Sequence, residues 1–305
     1  MKMLVTGGAG FIGSHLTEEL LALDHEVHVL DNLISGSIEN LSKQVILHRY
    51  DICSFEAKQM IVNLKPDIVF HLAAQSDVGK SIIEPKYDAD ININGTINIL
   101  EACREAKVKK VIFASTAAVY GNLKKETISE NDATIPISYY GLSKFTAELY
   151  IQLFSQLYDL PYTILRYGNV YGPRQKAKGE GGVIAVFLDK IISGDQLYIY
   201  GDGEQTRDFI YVKDVAQANI AAIDKGHNEI IQISTSCKTT IKKIVNIFSK
   251  IHHSEINTIF KKPRKGDIKN SCLENKKAQK ILEWQPKVNI YQGLLKAYNA
   301  KFNNK

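Results

Sequence analysis

No run of ~18 apolar residues occurs in the 305-residue chain, which excludes a membrane-spanning helix. The N-terminal apolar stretch from Met3 to Val5 breaks at glycines and is too short for a secretory signal, so a cytoplasmic protein is expected. Cysteine is scarce. Cys53, Cys103, Cys237 and Cys272 are scattered, with no CxxC pair and no Cys/His cluster, so no metal site is expected and the thiols read as reduced. His252-His253 likewise has no neighbouring ligand residues. Internal repeats and low-complexity linkers are missing. The charge excess is small, +5, and sits mainly in the C-terminal third, where Lys261-Lys262-Pro263-Arg264-Lys265 stands out. No nucleic-acid motif accompanies that cluster, so no nucleic-acid partner is expected. It reads as a solvated face or a local site for an anionic substrate.

What is present is an ordinary globular composition, 45% hydrophobic and 23% charged, with clear periodicity. Lys2 to Thr6, Glu26 to Leu30, Val45 to Tyr50, Asp67 to Leu72, Val108 to Ser115 and Tyr162 to Arg166 read as strands. Helical patterns fall between them, notably Ala57 to Leu64, Ile91 to Ala106 and Ser138 to Leu157. This alternation predicts an α/β fold: a Rossmann-type doubly wound parallel sheet with a smaller C-terminal α/β substrate-binding lobe. The character changes after Gly172-Pro173-Arg174. A Gly- and Lys-rich loop, Lys176 to Gly182, leads into an apolar helix from Val183 to Ile192, and further helices are read at Thr240 to Ile251 and near Ile290 to Phe302. The expected division is interleaved: residues 1–172 with about 207–236 as the dinucleotide-binding domain, and 173–206 with 237–305 as the second lobe.

Thr6-Gly7-Gly8-Ala9-Gly10-Phe11-Ile12-Gly13 leaves a predicted strand and opens a predicted helix. Glycine permits the tight turn and close approach of backbone to a pyrophosphate, and the helix N-terminus offers unpaired N–H groups to its charge. Asp31 ends the second strand, 18 residues after Gly13. A carboxylate there accepts from adenosine ribose hydroxyls and repels a 2′-phosphate, so the expected cofactor is NAD. Asn32 and Gly36 extend the adenosine pocket. Asp51-Ile52 reads as an adenine bracket, although Asp51 alone is as readily a strand-end cap. His71-Leu72-Ala73-Ala74-Gln75 lies at the C-terminal end of the fourth strand, where ligands bind in such sheets.

Tyr140-Gly141-Leu142-Ser143-Lys144 puts a phenol and an ammonium on one helix face. A nearby ammonium lowers the pKa of a tyrosine from about 10 and makes it a general base for a hydroxyl. Tyr139 competes, but would pair with Ser143. Ala114-Ser115-Thr116-Ala117-Ala118-Val119-Tyr120-Gly121 follows the fifth strand and offers hydroxyls to a substrate, or to strand-end capping. Together with Leu165-Arg166-Tyr167-Gly168-Asn169-Val170-Tyr171-Gly172-Pro173, these motifs occur in an order that resembles the extended short-chain dehydrogenase/reductase family, in its NAD-dependent epimerase/dehydratase branch. The resemblance covers Lys2 to about Gly293.

That resemblance implies Tyr140 as base, Lys144 as its partner and holder of the nicotinamide ribose, and Thr116 as the catalytic hydroxyl with Ser115 its neighbour. Asn92 matches a family asparagine near the active site. On the substrate side it implies Asn169 at a diphosphate, Gly182 and Val183 at the nucleotide, and Tyr198 and Tyr200 flanking the base. Arg207 and Arg264 are then guanidinium groups for the diphosphate, Asp267 an acceptor for its ribose, and Ser271 a small residue leaving room for an N-acetyl group. Similar dehydratases and decarboxylases carry acids just after the catalytic hydroxyl, where this chain has Ala117 and Ala118, which transfer no proton. The expected activity is therefore NAD-dependent 4-epimerisation of a UDP-hexose (UDP-glucose/UDP-galactose, with the N-acetylated pair also accommodated) through a 4-keto sugar. The resemblance further implies a homodimer through Ile91 to Ala106 and Ser138 to Leu157. Alternatives are a uronate or dTDP-sugar epimerase or reductase, or a non-catalytic NAD-binding protein.

Overall fold

The computed structural model describes residues 1–177, 182–263 and 268–302. Its strands are β1 (Lys2–Thr6), β2 (Glu26–Leu30), β3 (Ile46–His48), β4 (Ile68–His71), β5 (Lys110–Thr116), β6 (Tyr162–Tyr167), β7 (Asn169–Tyr171), β8 (Leu197–Tyr200), β9 (Thr206–Arg207), β10 (Phe209–Tyr211), β11 (Glu229–Ile233), β12 (Thr239–Thr240) and β13 (Thr258–Lys261). A seven-stranded sheet runs in the order β11-β6-β5-β4-β1-β2-β3, every neighbour parallel. The doubly wound order reverses between β1 and β4, which opens a crevice at their C-terminal ends.

The helices are α1 (Phe11–Ala22), α2 (Phe55–Leu64), α3 (Val78–Ile83), α4 (Pro85–Ala89), α5 (Gly95–Ala106), α6 (Tyr139–Tyr158), α7 (Val183–Ser193), α8 (Val212–Ala221), α9 (Ile241–His252) and α10 (Ile290–Phe302). Strand side chains alternate between two cores, as a period of two demands. Met3, Val5, Val29 and Phe70 pack with Leu16 and Leu20 of α1 and Val215 of α8 on one face. Leu4, Leu30, Val69 and Phe113 pack with Ile61 of α2, Leu100 of α5 and Ile151 of α6 on the other. A third apolar cluster joins Phe187 and Leu188 of α7, Phe248 of α9 and Leu294 of α10 to Phe209 and Tyr211 of β10.

The helix expected over Ile91 to Ala106 is regular only from Gly95. Asp90–Asn94 winds wider, as a π-helical turn, and places Asn92 inside the protein. Such turns concentrate at functional sites. The strand expected over Val45 to Tyr50 shortens to Ile46–His48 at the sheet edge, where, among the described residues, no further strand pairs with it.

Candidate active site

The glycine-rich turn is built by steric exclusion. Gly7 has φ +68°, and a Cβ on it would lie 2.7 Å from the Ala73 nitrogen. A Cβ on Gly13 would lie 2.2 Å from the Gly7 carbonyl oxygen, so α1 can start this close to β1 only on glycine. Gly10 caps α1 with backbone alone, and no acidic side chain enters the first turn. The unpaired N–H groups and the positive end of the helix therefore face the crevice, an arrangement that fits a diphosphate.

Two adjoining cavities meet at Gly7 and Gly10. The smaller, about 100 Å³, is lined by Asp31, Asn32, Asp51, Ile52, Ala73 and Gln75. Asp31 is buried. It accepts the N–H groups of Ala9 (3.0 Å) and Leu33 (2.8 Å), and burial raises its pKa against those bonds. Asn32 donates to Asp51 (2.8 Å), which also accepts the Cys53 N–H (2.9 Å). Gly36 packs against Ala9 and Asp31, behind the wall of this cavity. The carboxylate at the end of β2, the floor of glycines and the apolar Ile52 fit an adenosine, and the anionic wall disfavours a 2′-phosphate.

The larger cavity, about 250 Å³, has Gly13, Phe11, Ile12, Leu72 and Ala74 on one side. Tyr140, Lys144 and Ser115 form another side, and Asn169, Gly182 and Val183 the third. Ser138 caps α6 by accepting the Gly141 N–H (3.1 Å). A Cβ on Gly141 would lie 2.6 Å from the Ala118 carbonyl oxygen, so glycine lets α6 begin against the turn that follows β5. Tyr140 and Ser115 then line one cavity. Tyr139 is 48% exposed and does not line the cavity.

Lys144 is 2% exposed, and its ammonium lies 4.0 Å from the Phe113 ring centroid. Burial lowers its pKa to about 7, while the charges of Glu148 and Asp88 oppose that fall. A lysine held near neutrality in a cleft that a phenol also lines is a candidate for proton transfer. Ser115 donates to Glu148, which leaves its lone pairs toward the cavity. Thr116 is outside the cavity lining, and its hydroxyl oxygen accepts the Ala118 N–H (3.1 Å) while keeping its own proton to donate. The expected capping and the expected substrate contact are thus divided between two adjacent hydroxyls.

Beyond this cavity, Tyr198 and Tyr200 lie on β8, paired in register with β13. Tyr198 is 39% exposed, with the Lys261 ammonium 3.8 Å from its ring centroid. Arg207 ends β9. The carbonyl of its neighbour Thr206 accepts both the Arg207 guanidinium (2.9 Å) and the Ser271 N–H (3.2 Å), which sets Arg207 and Ser271 side by side. Arg264 and Asp267 lie outside the described residues. Among the described residues no group of three His, Cys, Asp or Glu side chains is placed to hold a metal.

Several polar residues of the site carry no motif of their own. Glu148 is fully buried and takes Arg166 through Nε (2.9 Å) and Nη2 (2.5 Å). Its signal was the i+4 spacing from Lys144 on α6. His71 is buried between two threonines. Thr96 donates to the Asn92 carbonyl (2.7 Å), so it accepts from His71 Nε2 (3.0 Å), and His71 Nδ1 in turn accepts from Thr6 (2.7 Å). The chain of donors fixes one neutral tautomer, and burial lowers the His71 pKa to about 3.

Residues 3–234 match the family model described as NAD dependent epimerase/dehydratase family. The chain is 42% identical over 303 residues to a putative UDP-glucose 4-epimerase of Methanocaldococcus jannaschii, covering 99% of each chain. A solved UDP-glucose 4-epimerase of Thermotoga maritima, crystallised with UDP-glucose, superposes with a TM-score of 0.96 at 42% identity, over 100% of this chain and 99% of that one. The Thermus thermophilus UDP-glucose 4-epimerase, solved with NAD, gives 0.93 at 38% identity over 99% of each. On these grounds, and on the ordered motifs that meet in one crevice, the chain belongs to the NAD dependent epimerase/dehydratase family.

Proposed function

We propose that this protein is a UDP-hexose 4-epimerase, interconverting UDP-glucose and UDP-galactose. The observation that carries the reading is the 250 Å³ cavity, which joins the glycine-rich turn to Tyr140, Lys144 and Ser115, with Asn169 and Val183 opposite. In the related chains UDP-glucose and NAD are the bound molecules.

The residues divide the work as follows. Asp31 and the glycine-rich turn hold the dinucleotide, and Lys144 holds its nicotinamide ribose. NAD, when bound, supplies the redox chemistry at the sugar C4 and is regenerated in the cycle. Tyr140 takes the C4 hydroxyl proton and later returns it, with Lys144 stabilising the phenolate. Ser115, which lines the cavity, holds the reacting hydroxyl, and Thr116 beside it caps the turn that follows β5 and keeps a proton to donate. Asn169, Gly182, Val183, Tyr198, Tyr200, Arg207, Arg264 and Asp267 retain the nucleotide diphosphate while the 4-keto sugar turns its other face. The second lobe, residues 173–206 and 237–305, serves this retention. Ala117 and Ala118 supply no acid for dehydration.

The test is incubation of purified protein with UDP-sugars and dTDP-sugars, resolved by NMR. UDP-glucose is expected to give UDP-galactose with no net NADH. Net NADH consumption, or turnover of dTDP-sugars alone, would reject the reading. Ser271 is small and stands beside Arg207, which supports acceptance of the N-acetylated pair as well, and activity on plain hexoses only would reject that extension.

The proposal includes a homodimer. Leu142, Leu149, Leu153 and Leu157 are exposed on α6 at spacings that align them on one face. A monomer by light scattering would reject it. No described helix is long and apolar enough to cross a membrane, and the free thiols of Cys53, Cys103, Cys237 and Cys272 favour a reducing, cytoplasmic setting.

A further inference from the structure

Asp88, on α4, is 1% exposed. Its Oδ1 accepts from Gln75 Nε2 (2.8 Å) and Asn92 Nδ2 (3.2 Å), and its Oδ2 from Ser143 Oγ (2.5 Å). Gln75 and Ser143 donate to it outright, and Asn92 Nδ2 shares a proton with it while also donating to the Gln75 carbonyl (2.9 Å) and to Ser143 Oγ (3.0 Å), a set that matches the acceptor-only form of an ionised carboxylate. None of the three is a cation, so this buried anion has no ion-pair partner of its own among the described residues. Each bond leads to the site. Gln75 lines the smaller cavity and its N–H donates to Asn92 Oδ1 (2.9 Å). Asn92 begins the chain of hydrogen bonds that passes through Thr96 and His71 to Thr6, at the mouth of the glycine-rich turn. Ser143 lies between Tyr140 and Lys144 on the first turns of α6.

We propose that Asp88 is a positioning residue for the proposed reaction: through Ser143 it fixes the turn that carries Tyr140 and Lys144, through Gln75 and Asn92 it ties that turn to the cofactor crevice, and its charge polarises the pair. The inference rests on the assignment of Tyr140 and Lys144 above. Among the described residues, the charged and titratable groups set against Lys144 are Glu148 on α6, neutral His71 on β4 and Asp88, with the Phe113 ring on β5 against its ammonium and Tyr140 lining the same cavity. Glu148 is already committed to Arg166 of β6, so Asp88 is the unneutralised anion in the set. An anion here makes release of a proton from the Tyr140–Lys144 pair harder, and both apparent pKa values of the pair carry its mark.

Two variants separate charge from geometry. In Asp88→Asn the amide oxygen keeps Gln75 and Asn92, and the amide nitrogen donates to Ser143, whose hydroxyl turns to the Tyr140 carbonyl, already within 3.1 Å. Ser143→Ala keeps the charge and cuts the link. On the NAD-loaded enzyme with UDP-glucose, Asp88→Asn is expected to move the acid limb of kcat/KM down by about one pH unit and lower kcat roughly tenfold, with KM within about threefold. Ser143→Ala is expected to lower kcat by about fivefold or more with the limb unmoved.

An unmoved limb in Asp88→Asn overturns the proposal, because a merely structural residue would lose activity equally at every pH. Should Asp88→Asn fail to fold, wild-type kcat in Ser143→Ala overturns it. If the wild-type enzyme turns over no UDP-sugar, the functional reading falls by itself. Tyrosinate absorbance of the NAD-loaded proteins, each with its Tyr140→Phe counterpart subtracted, then decides. A Tyr140 titration lowered in Asp88→Asn supports the proposal, and one that is unshifted overturns it.

Discussion

The Lys144 ammonium and the Phe113 ring meet at 4.0 Å, a cation over an aromatic face in a site from which solvent is almost excluded. The ring quadrupole recovers only part of the hydration that burial removes, typically ~2 kcal/mol when desolvated. The lysine pKa accordingly falls from 10.5 to about 7. Between those values the unfolded chain holds a proton that the folded chain has released, so stability rises with pH across the window and the full cost is borne below about 7. Lys144→Met is therefore expected to raise the melting temperature of the cofactor-free protein at pH 6 and to leave it nearly unchanged toward pH 10. Scanning fluorimetry of both proteins across that range checks this. A stabilisation that grows with pH would contradict the linkage.

Tyr140→Phe keeps the ring and removes the hydroxyl. Turnover of UDP-glucose is expected to fall by about a thousandfold or more, beyond the ~100-fold minimum typical of a lost general base. NAD binding, followed by fluorescence titration, is expected to hold within about threefold, because the ring leaves the glycine-rich turn undisturbed. Turnover within about tenfold of the wild type would remove Tyr140 as the base.

The sheet was legible because its strands declare themselves locally. Lys2–Thr6 holds an apolar core that ends at glycine, and Glu26–Leu30 alternates polar and apolar residues up to Asp31. Glu229–Ile233, which completes the sheet beside β6, reads in the sequence only as part of the 207–236 segment expected to join the dinucleotide-binding domain, since five residues reveal a strand but not its partner. The crevice was legible where glycines mark a backbone that tolerates no Cβ. The polar residues behind it were not. Asp88, Glu148 and Gln75 look like surface residues of helices and loops; the crossing of α4 and α6 with the π-helical turn buries Asp88 and Gln75, and the packing of α6 on β5 and β6 buries Glu148.

Asp31 offers a test of cofactor choice. Asp31→Ala removes the acceptor for the Ala9 and Leu33 N–H groups as well as the charge at the end of β2. Loss of a charged hydrogen-bonding group of this kind costs ~1–3 kcal/mol. NAD affinity by calorimetry is expected to weaken by about tenfold or more, and the preference over NADP to shrink, because the repulsion of a 2′-phosphate goes with the carboxylate. An unchanged ratio of the two affinities would exclude Asp31 from cofactor discrimination.

Glu148 and Arg166 form the buried ion pair beneath the site, and Ser115 also rests on Glu148. Burial alone would pull Arg166 down, but the Glu148 carboxylate more than reverses it, so the guanidinium stays charged. Glu148→Gln leaves that charge buried without its partner, and breaking one side of such a pair costs ~3–5 kcal/mol. Urea unfolding is expected to show a loss of this size with an unchanged slope. The double variant Glu148→Gln/Arg166→Met removes the stranded charge and is expected to recover more than half of the loss, with Tyr120 and Gln232 still joined through the Tyr120 hydroxyl at 2.6 Å. Additive losses in the double variant would show that the two side chains contribute through packing alone, since only a coupled pair makes the second substitution cheaper than the first.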